Sequence, residues 1–92
     1  MYSNFLLGEL KINDEVKFKL KRAPLDMVAR HAINDHGAVT ALERKRNQLG
    51  MKTAGEILSR YMVNPLDPAE GYVEITTSEG WGTTTVTLKD PA

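Results

Sequence analysis

The sequence predicts a small α+β domain built from an N-terminal β-hairpin, three short helices and a C-terminal β-hairpin. Apolar and polar residues alternate near both ends of the chain, which is the period of half-buried strands. In the middle, apolar residues recur at the helical period. A chain of 92 residues also has the size of one domain. We therefore expect residues 1–92 to share a single hydrophobic core.

The first hairpin is predicted over residues 10–21, where a turn-forming Asn-Asp-Glu segment separates two alternating stretches. A helix over residues 14–23 is the alternative, because Asp14 could cap it and two apolar residues lie one turn apart. The hairpin is preferred because Phe18 points inward only in a strand. Its lysines would face outward, where they either protect an edge strand or form a second basic face. These lysines are Lys11, Lys17, Lys19 and Lys21.

The helical core is predicted over residues 24–63. Pro24 suits the first turn of a helix, and apolar residues recur after it at the helical period. This pattern predicts a first helix that ends near Gly37. His36 would then cap the end of that helix or fill an edge of the core.

Threonine and glutamate stand three positions apart twice in the core, beginning at Thr40 and at Thr53. This is the spacing of a capping box, in which each side chain binds the other residue's backbone amide. The first box predicts a second helix over residues 41–49, closed by Gly50 in the left-handed conformation. The second box predicts a third helix that continues through Val63.

The C-terminal hairpin is predicted over residues 71–89. Two stretches rich in β-branched residues alternate in polarity, and glycines on both sides of Trp81 allow a tight return. Tryptophan is enriched at binding hot spots, so Glu79 and Trp81 form a possible protein-binding site at the hairpin tip. The alternative is that the indole packs back on the domain.

Composition and charge restrict the function. The chain has no cysteine, which excludes disulfides, thiolate metal sites and cysteine nucleophiles. It shows no long apolar run and no basic stretch before an apolar segment at its N-terminus, so we expect a cytoplasmic protein with no membrane partner. The net charge is zero, but eleven of the twelve basic residues lie between Lys11 and Arg60, while the following segment is mainly acidic.

No enzymatic activity is predicted, and no catalytic residue is assigned. The serines and threonines lack a recognisable nucleophile context, and no glycine-rich loop has the phosphate-binding pattern. His31 and His36 stand five positions apart, whereas metal ligands on one helical face stand three or four apart. Neither a metal nor another cofactor is therefore expected.

The two predicted helices joined by residues 49–52, with a glycine in the turn, resemble the helix-turn-helix of DNA-binding regulators. The resemblance covers residues 42–62, and the hairpin that ends at Lys89 resembles the wing of a winged-helix domain. It implies a transcriptional regulator that acts as a dimer on double-stranded DNA, with the helix after Thr53 in the major groove.

Basic side chains on these helices would neutralise phosphates, and Arg60 could reach a guanine edge. A solvated surface is the alternative interpretation, since long charged side chains also cover apolar neighbours with their stems. The predicted DNA-binding residues are Arg44, Lys45, Arg46, Lys52, Thr53, Ser59 and Arg60.

A second resemblance, to the ribbon-helix-helix repressors, rests on residues 42–43, Gly50 and residues 56–57. Those proteins need a strand immediately before the first helix, and residues 36–39 are short and interrupted by glycine. The winged-helix interpretation is therefore preferred. The alternative function is a small inhibitor or adaptor that docks on a larger protein through its acidic C-terminal hairpin and Trp81.

Overall fold

The computed structural model describes residues 6–90, which form an α+β domain with three helices and a mixed four-stranded sheet. The predicted domain span of 1–92 also includes residues 1–5 and 91–92, which lie outside the described residues. The strands are β1 (Glu9–Ile12), β2 (Ile57–Met62), β3 (Tyr72–Thr77) and β4 (Thr83–Lys89). The helices are α1 (Asp14–Leu20), α2 (Leu25–Ala32) and α3 (Ala41–Thr53).

The strand order in the sheet is β1-β4-β3-β2, with β1 parallel to β4 and the other pairs antiparallel. The core lies on one face of the sheet, under α1 and α2. Its buried members are Val16, Met27, Val28, Tyr61, Val73, Ile75 and Val86. Within residues 6–90, no helix has the length and apolar character that crossing a bilayer requires.

The C-terminal hairpin is confirmed, since β3 pairs with β4 from Tyr72 opposite Lys89 to Thr77 opposite Thr84. Its connector contains a short 3-10 turn, Glu79–Trp81, in which Gly80 has φ 82°. A positive φ favours glycine because a side chain would clash there. The alternating polarity of both strands therefore predicted their pairing correctly.

The predicted N-terminal hairpin is wrong. Asp14–Leu20 is helix α1, and β1 pairs in parallel with β4 instead. Two acidic residues in the first turn stabilise the positive end of the helix dipole, and Val16 is fully buried. Phe18 is 82% exposed, so the inward position that favoured a strand is not used. The alternative helix was the better interpretation.

The first two predicted helices are present, but their ends differ from the prediction. Helix α2 ends at Ala32, well before Gly37. The capping box at Thr40 is confirmed, with the Glu43 amide donating to Thr40 Oγ1 at 3.1 Å and the Thr40 amide donating to Glu43 Oε1 at 2.8 Å. Helix α3 then continues past Gly50 to Thr53.

Gly50 is needed for a close approach and not as a left-handed cap. It lies inside α3 and is buried, and a Cβ atom there would stand 2.6 Å from the backbone oxygen of Glu56. The residue that closes the helix in the left-handed conformation is Ala54, with φ 54°. Helix α3 can therefore lie directly against the start of β2.

The predicted third helix is wrong, because Ile57–Met62 is strand β2. Alternate residues of this segment are buried and all six pair with β3, which gives the backbone its hydrogen bonds. No second capping box forms at Thr53, whose hydroxyl donates to the oxygen of Leu49. Among residues 6–90 the second helix of a helix-turn-helix is thus absent, and the winged-helix arrangement is not confirmed.

Candidate functional site

A chain of hydrogen bonds between side chains runs through the core and joins α2, the α2–α3 segment and three strands. We call it the buried polar chain; its members, in order, are His36, Ser59, His31, Thr77 and Thr84. His36 Nδ1 and His31 Nδ1 lie 2.7 and 2.6 Å from Ser59 Oγ. His31 Nε2 lies 2.8 Å from Thr77 Oγ1, which lies 2.7 Å from Thr84 Oγ1. All five residues are buried.

With both histidine rings neutral, the direction of every hydrogen bond in the buried polar chain follows from its last contact. Thr84 Oγ1 donates to the backbone oxygen of Leu7 at 2.6 Å, and a carbonyl can only accept. Thr77 must therefore donate to Thr84, and the Nε2–H group of His31 must donate to Thr77. His31 Nδ1 is then an acceptor for the Ser59 hydroxyl, and Ser59 accepts from the Nδ1–H group of His36.

The protonation of both histidines agrees with this direction. Burial, together with the charge of His36, lowers the pKa of His31 to about 3, so its ring is neutral at neutral pH. Burial also lowers the pKa of His36, and the nearby charge of Arg44 lowers it further. Since Nδ1 of neutral His36 carries the proton, its Nε2 is an acceptor, and within residues 6–90 that atom has no hydrogen-bond partner.

Two of the predicted DNA-binding residues are held inside the fold. Ser59 is fully buried in the buried polar chain, and the side chain of Arg60 is only 16% exposed. The sequence predicts DNA contacts for both from an outward-facing position on a third helix, and that position is wrong because they lie on β2. Arg60 contacts both Glu43 oxygens at 2.9 Å and Glu74 Oε2 at 3.0 Å. These hydrogen bonds lower the pKa of Glu43 to about 2.

The other predicted DNA-binding residues lie exposed on α3. Arg44, Lys45, Arg46 and Lys52 form no ion pair with any described residue, and we call them the α3 cations. Thr53 is exposed at the end of the same helix. By contrast, the remaining arginines are all paired: Arg22 with Asp26, Arg30 with Asp35, and Arg60 with two glutamates.

The lysines of the predicted second basic face do not share one element. Lys11 lies on β1, Lys17 and Lys19 lie on α1, and Lys21 follows that helix. Lys19 lies 3.7 Å from Glu70. Helix α1 packs against β4, whereas α3 packs against β2 at the other end of the sheet. The lysines and the α3 cations therefore belong to separate surfaces.

The possible protein-binding tip is partly fixed to the domain. Trp81 is half-buried, and its Nε1 donates to the backbone oxygen of Gly55 at 2.9 Å. The Gly80 amide donates to the oxygen of Ala54 at 2.7 Å. Glu79 is exposed. The tip thus packs back on the end of α3, and the indole is not the fully exposed anchor that a hot spot at this tip would need.

Two grooves of the same volume, about 410 Å³ each, are lined by basic side chains. The first, which we call the paired groove because its arginines form ion pairs, is lined by Arg22, Arg30 and Arg60 together with residues of the α2–α3 and β2–β3 connections. The second, which we call the unpaired groove because its cations form no ion pair with any described residue, lies between α3 and the α2–α3 segment. It is lined by Asn34, His36 and five residues of α3: Arg44, Asn47, Gln48, Met51 and Lys52.

Asn47 fixes the floor of the unpaired groove to the sheet. Its Oδ1 accepts from the Leu58 amide at 2.8 Å, and its Nδ2 donates to the Leu58 oxygen at 2.7 Å. The next outward-facing backbone groups of β2 are also used, since the Arg60 amide donates to His36 and its oxygen accepts from Ala38. This edge of the sheet is therefore covered, and the groove walls are held in place.

Sequence reasoning missed the buried polar chain, and it missed Asn34, which lines the unpaired groove. From the sequence, His31 and His36 are tested as metal ligands and His36 is placed at a helix cap or an edge of the core, while Thr77 and Thr84 appear as ordinary strand residues. Alternation could have indicated that these threonines face inward, because they occupy the same face as Val73 and Val86. Nothing local connects them to His31, which lies far away in the sequence.

Comparison with protein-family models, with curated protein sequences and with solved structures gives no match to this chain. Its function is therefore inferred from the contacts, burial and charges of the described residues.

Proposed function

We propose that this protein binds double-stranded DNA through the α3 cations, which lie against the phosphate backbone. The observation that carries the proposal is the contrast in pairing among the basic side chains. Four cations on one helix have no carboxylate partner within residues 6–90, whereas Arg22, Arg30 and Arg60 are all paired. Lys11, Lys17, Lys21 and Lys89 also form no ion pair among these residues, but they are spread over β1, β4 and the region of α1. Unpaired, exposed cations gain most from a polyanion, because binding releases the counterions of the phosphates.

Phosphate contacts, and not base contacts, are the basis of this proposal. One side of α3 is committed to the sheet edge through Asn47 and the close approach at Gly50. The α3 cations lie on the remaining exposed surface of the helix. Contacts to phosphates position a protein on a duplex without reading its sequence. A role of a dimer in transcription would require base contacts as well.

The experiment measures fluorescence anisotropy of a labelled duplex titrated with protein at low salt. Replacing Lys45 and Arg46 by glutamine should weaken binding about tenfold or more, because two phosphate contacts are lost. The matched control is K17Q/K21Q, on α1 and at its C-terminal cap, which removes the same charge from a separate surface and should change affinity less than about twofold. Absence of binding at low salt, or equal losses in both variants, would refute the proposal.

Two further titrations measure the specificity of the protein for nucleic-acid sequence and type. Duplexes of unrelated sequence should bind with similar affinity if only phosphates are contacted. A strong preference for one duplex would support the transcriptional role. An RNA duplex of the same length carries the same phosphates in a different geometry, and tighter binding of that RNA would reject DNA as the partner.

A second candidate function is docking of α3 on an acidic protein surface. Leu42 and Leu49 are 60% and 61% exposed on α3, and residues seven apart share one face of a helix. Lys45 and Arg46 lie between them in the sequence. Apolar side chains flanked by cations fit an acidic surface with an apolar centre. This surface replaces the hairpin tip as the docking site, since Trp81 is packed against Gly55.

The variant L42Q/L49Q separates the two functions. If α3 binds DNA, the affinity for duplex DNA should change by less than about threefold, since the α3 cations remain. If α3 docks on a protein, cross-linking in the native extract should give a defined acidic partner that the variant loses. Capture that persists in this variant would remove the reason for the second candidate.

A further inference from the structure

The unpaired groove contains hydrogen-bonding groups that have no partner. Asn34 Oδ1 is buried and makes no hydrogen bond within residues 6–90. The direction of the buried polar chain makes Nε2 of His36 an acceptor, and this atom is also unused by any described residue. Arg44 and Lys52 line the same groove without a carboxylate partner among residues 6–90.

These groups define the chemistry of a complementary ligand. Two acceptors without donors require a ligand that carries hydroxyl or amino groups. Two cations without anions require a ligand with negative charge, and both arginine and lysine bind phosphate well. A buried polar atom without a partner costs free energy, so a ligand that donates to Asn34 Oδ1 also removes that cost.

We propose that the unpaired groove binds a small phosphate ester with hydroxyl or amino donors, such as a nucleoside monophosphate. The phosphate lies on Arg44 or Lys52, at the two ends of the α3 wall, and the donors face Asn34 and His36. The volume of about 410 Å³ lies within the range of small-molecule sites. The site shares Arg44 and Lys52 with the proposed DNA surface, but it does not rest on DNA binding, because Asn34 and His36 take no part in that surface.

Preorganisation distinguishes this groove from an ordinary surface depression. The ring of His36 is held by Ser59, which is fixed in turn by His31, and the α3 wall is held by the two Asn47 hydrogen bonds. Nε2 of His36 therefore keeps its position without a ligand, which lowers the entropic cost of binding. The paired groove has the same volume, but carboxylates of the protein already occupy its cations.

Calorimetric titration tests the proposal with the four common nucleoside 5′-monophosphates, ribose 5-phosphate and inorganic phosphate. At least one ester should bind about tenfold more tightly than inorganic phosphate, because only the esters supply donors to the two acceptors. Binding of all six compounds at millimolar concentration with equal affinity would overturn the proposal, as would no binding at all.

Matched variants locate the site. R44Q and K52Q each remove a cation from the groove, and at least one of them should weaken the ester about tenfold, because a charge-assisted hydrogen bond is lost. R46Q removes the same charge from a residue of α3 that does not line the groove and should leave the affinity within about twofold. Equal losses in all three variants would indicate general charge attraction and would refute the site.

A spectroscopic readout tests the role of His36 without relying on a variant that could unfold. In the free protein, ¹⁵N NMR should show His36 protonated on Nδ1 and His31 protonated on Nε2. The ester should shift the Nε2 resonance of His36 and leave that of His31 nearly unchanged. K45Q/R46Q should retain this shift even where it loses DNA, so failure of one proposal is distinguishable from failure of the other.

Discussion

The paired groove and the unpaired groove have the same volume and the same kind of cationic lining, yet their cations have different partners. In the paired groove, Arg60 contacts Glu43 and Glu74, and the other two arginines each contact an aspartate. In the unpaired groove, Arg44 and Lys52 contact no carboxylate within residues 6–90. A basic residue can therefore stabilise the fold or remain available to a ligand, and the presence or absence of a carboxylate partner determines which of these roles it has.

The largest expected loss of stability is that of R60Q. This variant leaves Glu43 and Glu74 close together, partly buried and without their shared cation, so we expect a loss of about 3 kcal/mol of unfolding free energy. Urea denaturation measures it. R44Q removes the same charge from α3 and should stay within about 0.5 kcal/mol of the wild type. Similar losses in the two variants would break the comparison between the grooves.

A substitution in the buried polar chain should lower the unfolding free energy nearly as much as R60Q does. S59A removes the hydroxyl that hydrogen-bonds to Nδ1 of both His31 and His36, so we expect a loss of about 2.5 kcal/mol of unfolding free energy. The exposed Ser78 accepts a long hydrogen bond from Thr83, and S78A should cost less than about 0.5 kcal/mol. A fully stable S59A protein would contradict the assigned hydrogen bonds.

Stability should fall as the pH falls from about 7 to about 5. The pKa of His31 is about 3 in the folded protein, against an ordinary value of 6.5 that the unfolded chain takes, so the unfolded chain binds more protons in this window. The stability present above the unfolded pKa is thus lost on acidification, by about 2 kcal/mol for His31 alone. H31Q keeps a donor for Thr77 but cannot titrate, and its urea midpoint should depend less on pH. An equal slope in both proteins would reject a neutral His31.

The smallest expected change in unfolding free energy is that of G50A, in the helix that forms the wall of the unpaired groove. In G50A, a gain in helix propensity of about 1 kcal/mol opposes the clash of the new Cβ with the Glu56 oxygen, and we expect a net loss of about 1 kcal/mol. Q48A, on an exposed position of the same helix, should be nearly neutral. Thermal unfolding compares the two, and a stabilised G50A would show that α3 does not lie close to β2.

Local signals predicted part of this fold and distant pairing decided the rest. The Thr40 capping box and the C-terminal hairpin are encoded by neighbouring residues and were predicted correctly. The segment Ile57–Met62 satisfies both periods, since Ile57 and Tyr61 are one helical turn apart and also share one face of a strand. Pairing with β3 decides between them, and no local pattern shows that partner.

The candidate site shows the same limit. Arg44, Lys45 and Arg46 are consecutive, so their shared helix was predicted from the sequence. Lys52 was predicted to lie in the turn after that helix, although α3 extends to Thr53 and includes it. The buried polar chain joins residues from α2, β2, β3 and β4, and only the folded sheet brings them together. Likewise, the pairing of Arg60 depends on Glu43 and Glu74, which lie on other elements. Sequence reasoning therefore could not separate Arg60 from Arg46.

The salt dependence of duplex DNA binding tests the central claim most directly, namely that the α3 cations face a phosphate partner. Four cations on phosphates predict a slope of log K against log salt of about −3 to −4. K45Q/R46Q should reduce that slope by about 2, whereas K17Q/K21Q should leave it unchanged. A slope near zero in the wild type, or one that K45Q/R46Q does not alter, would contradict the account.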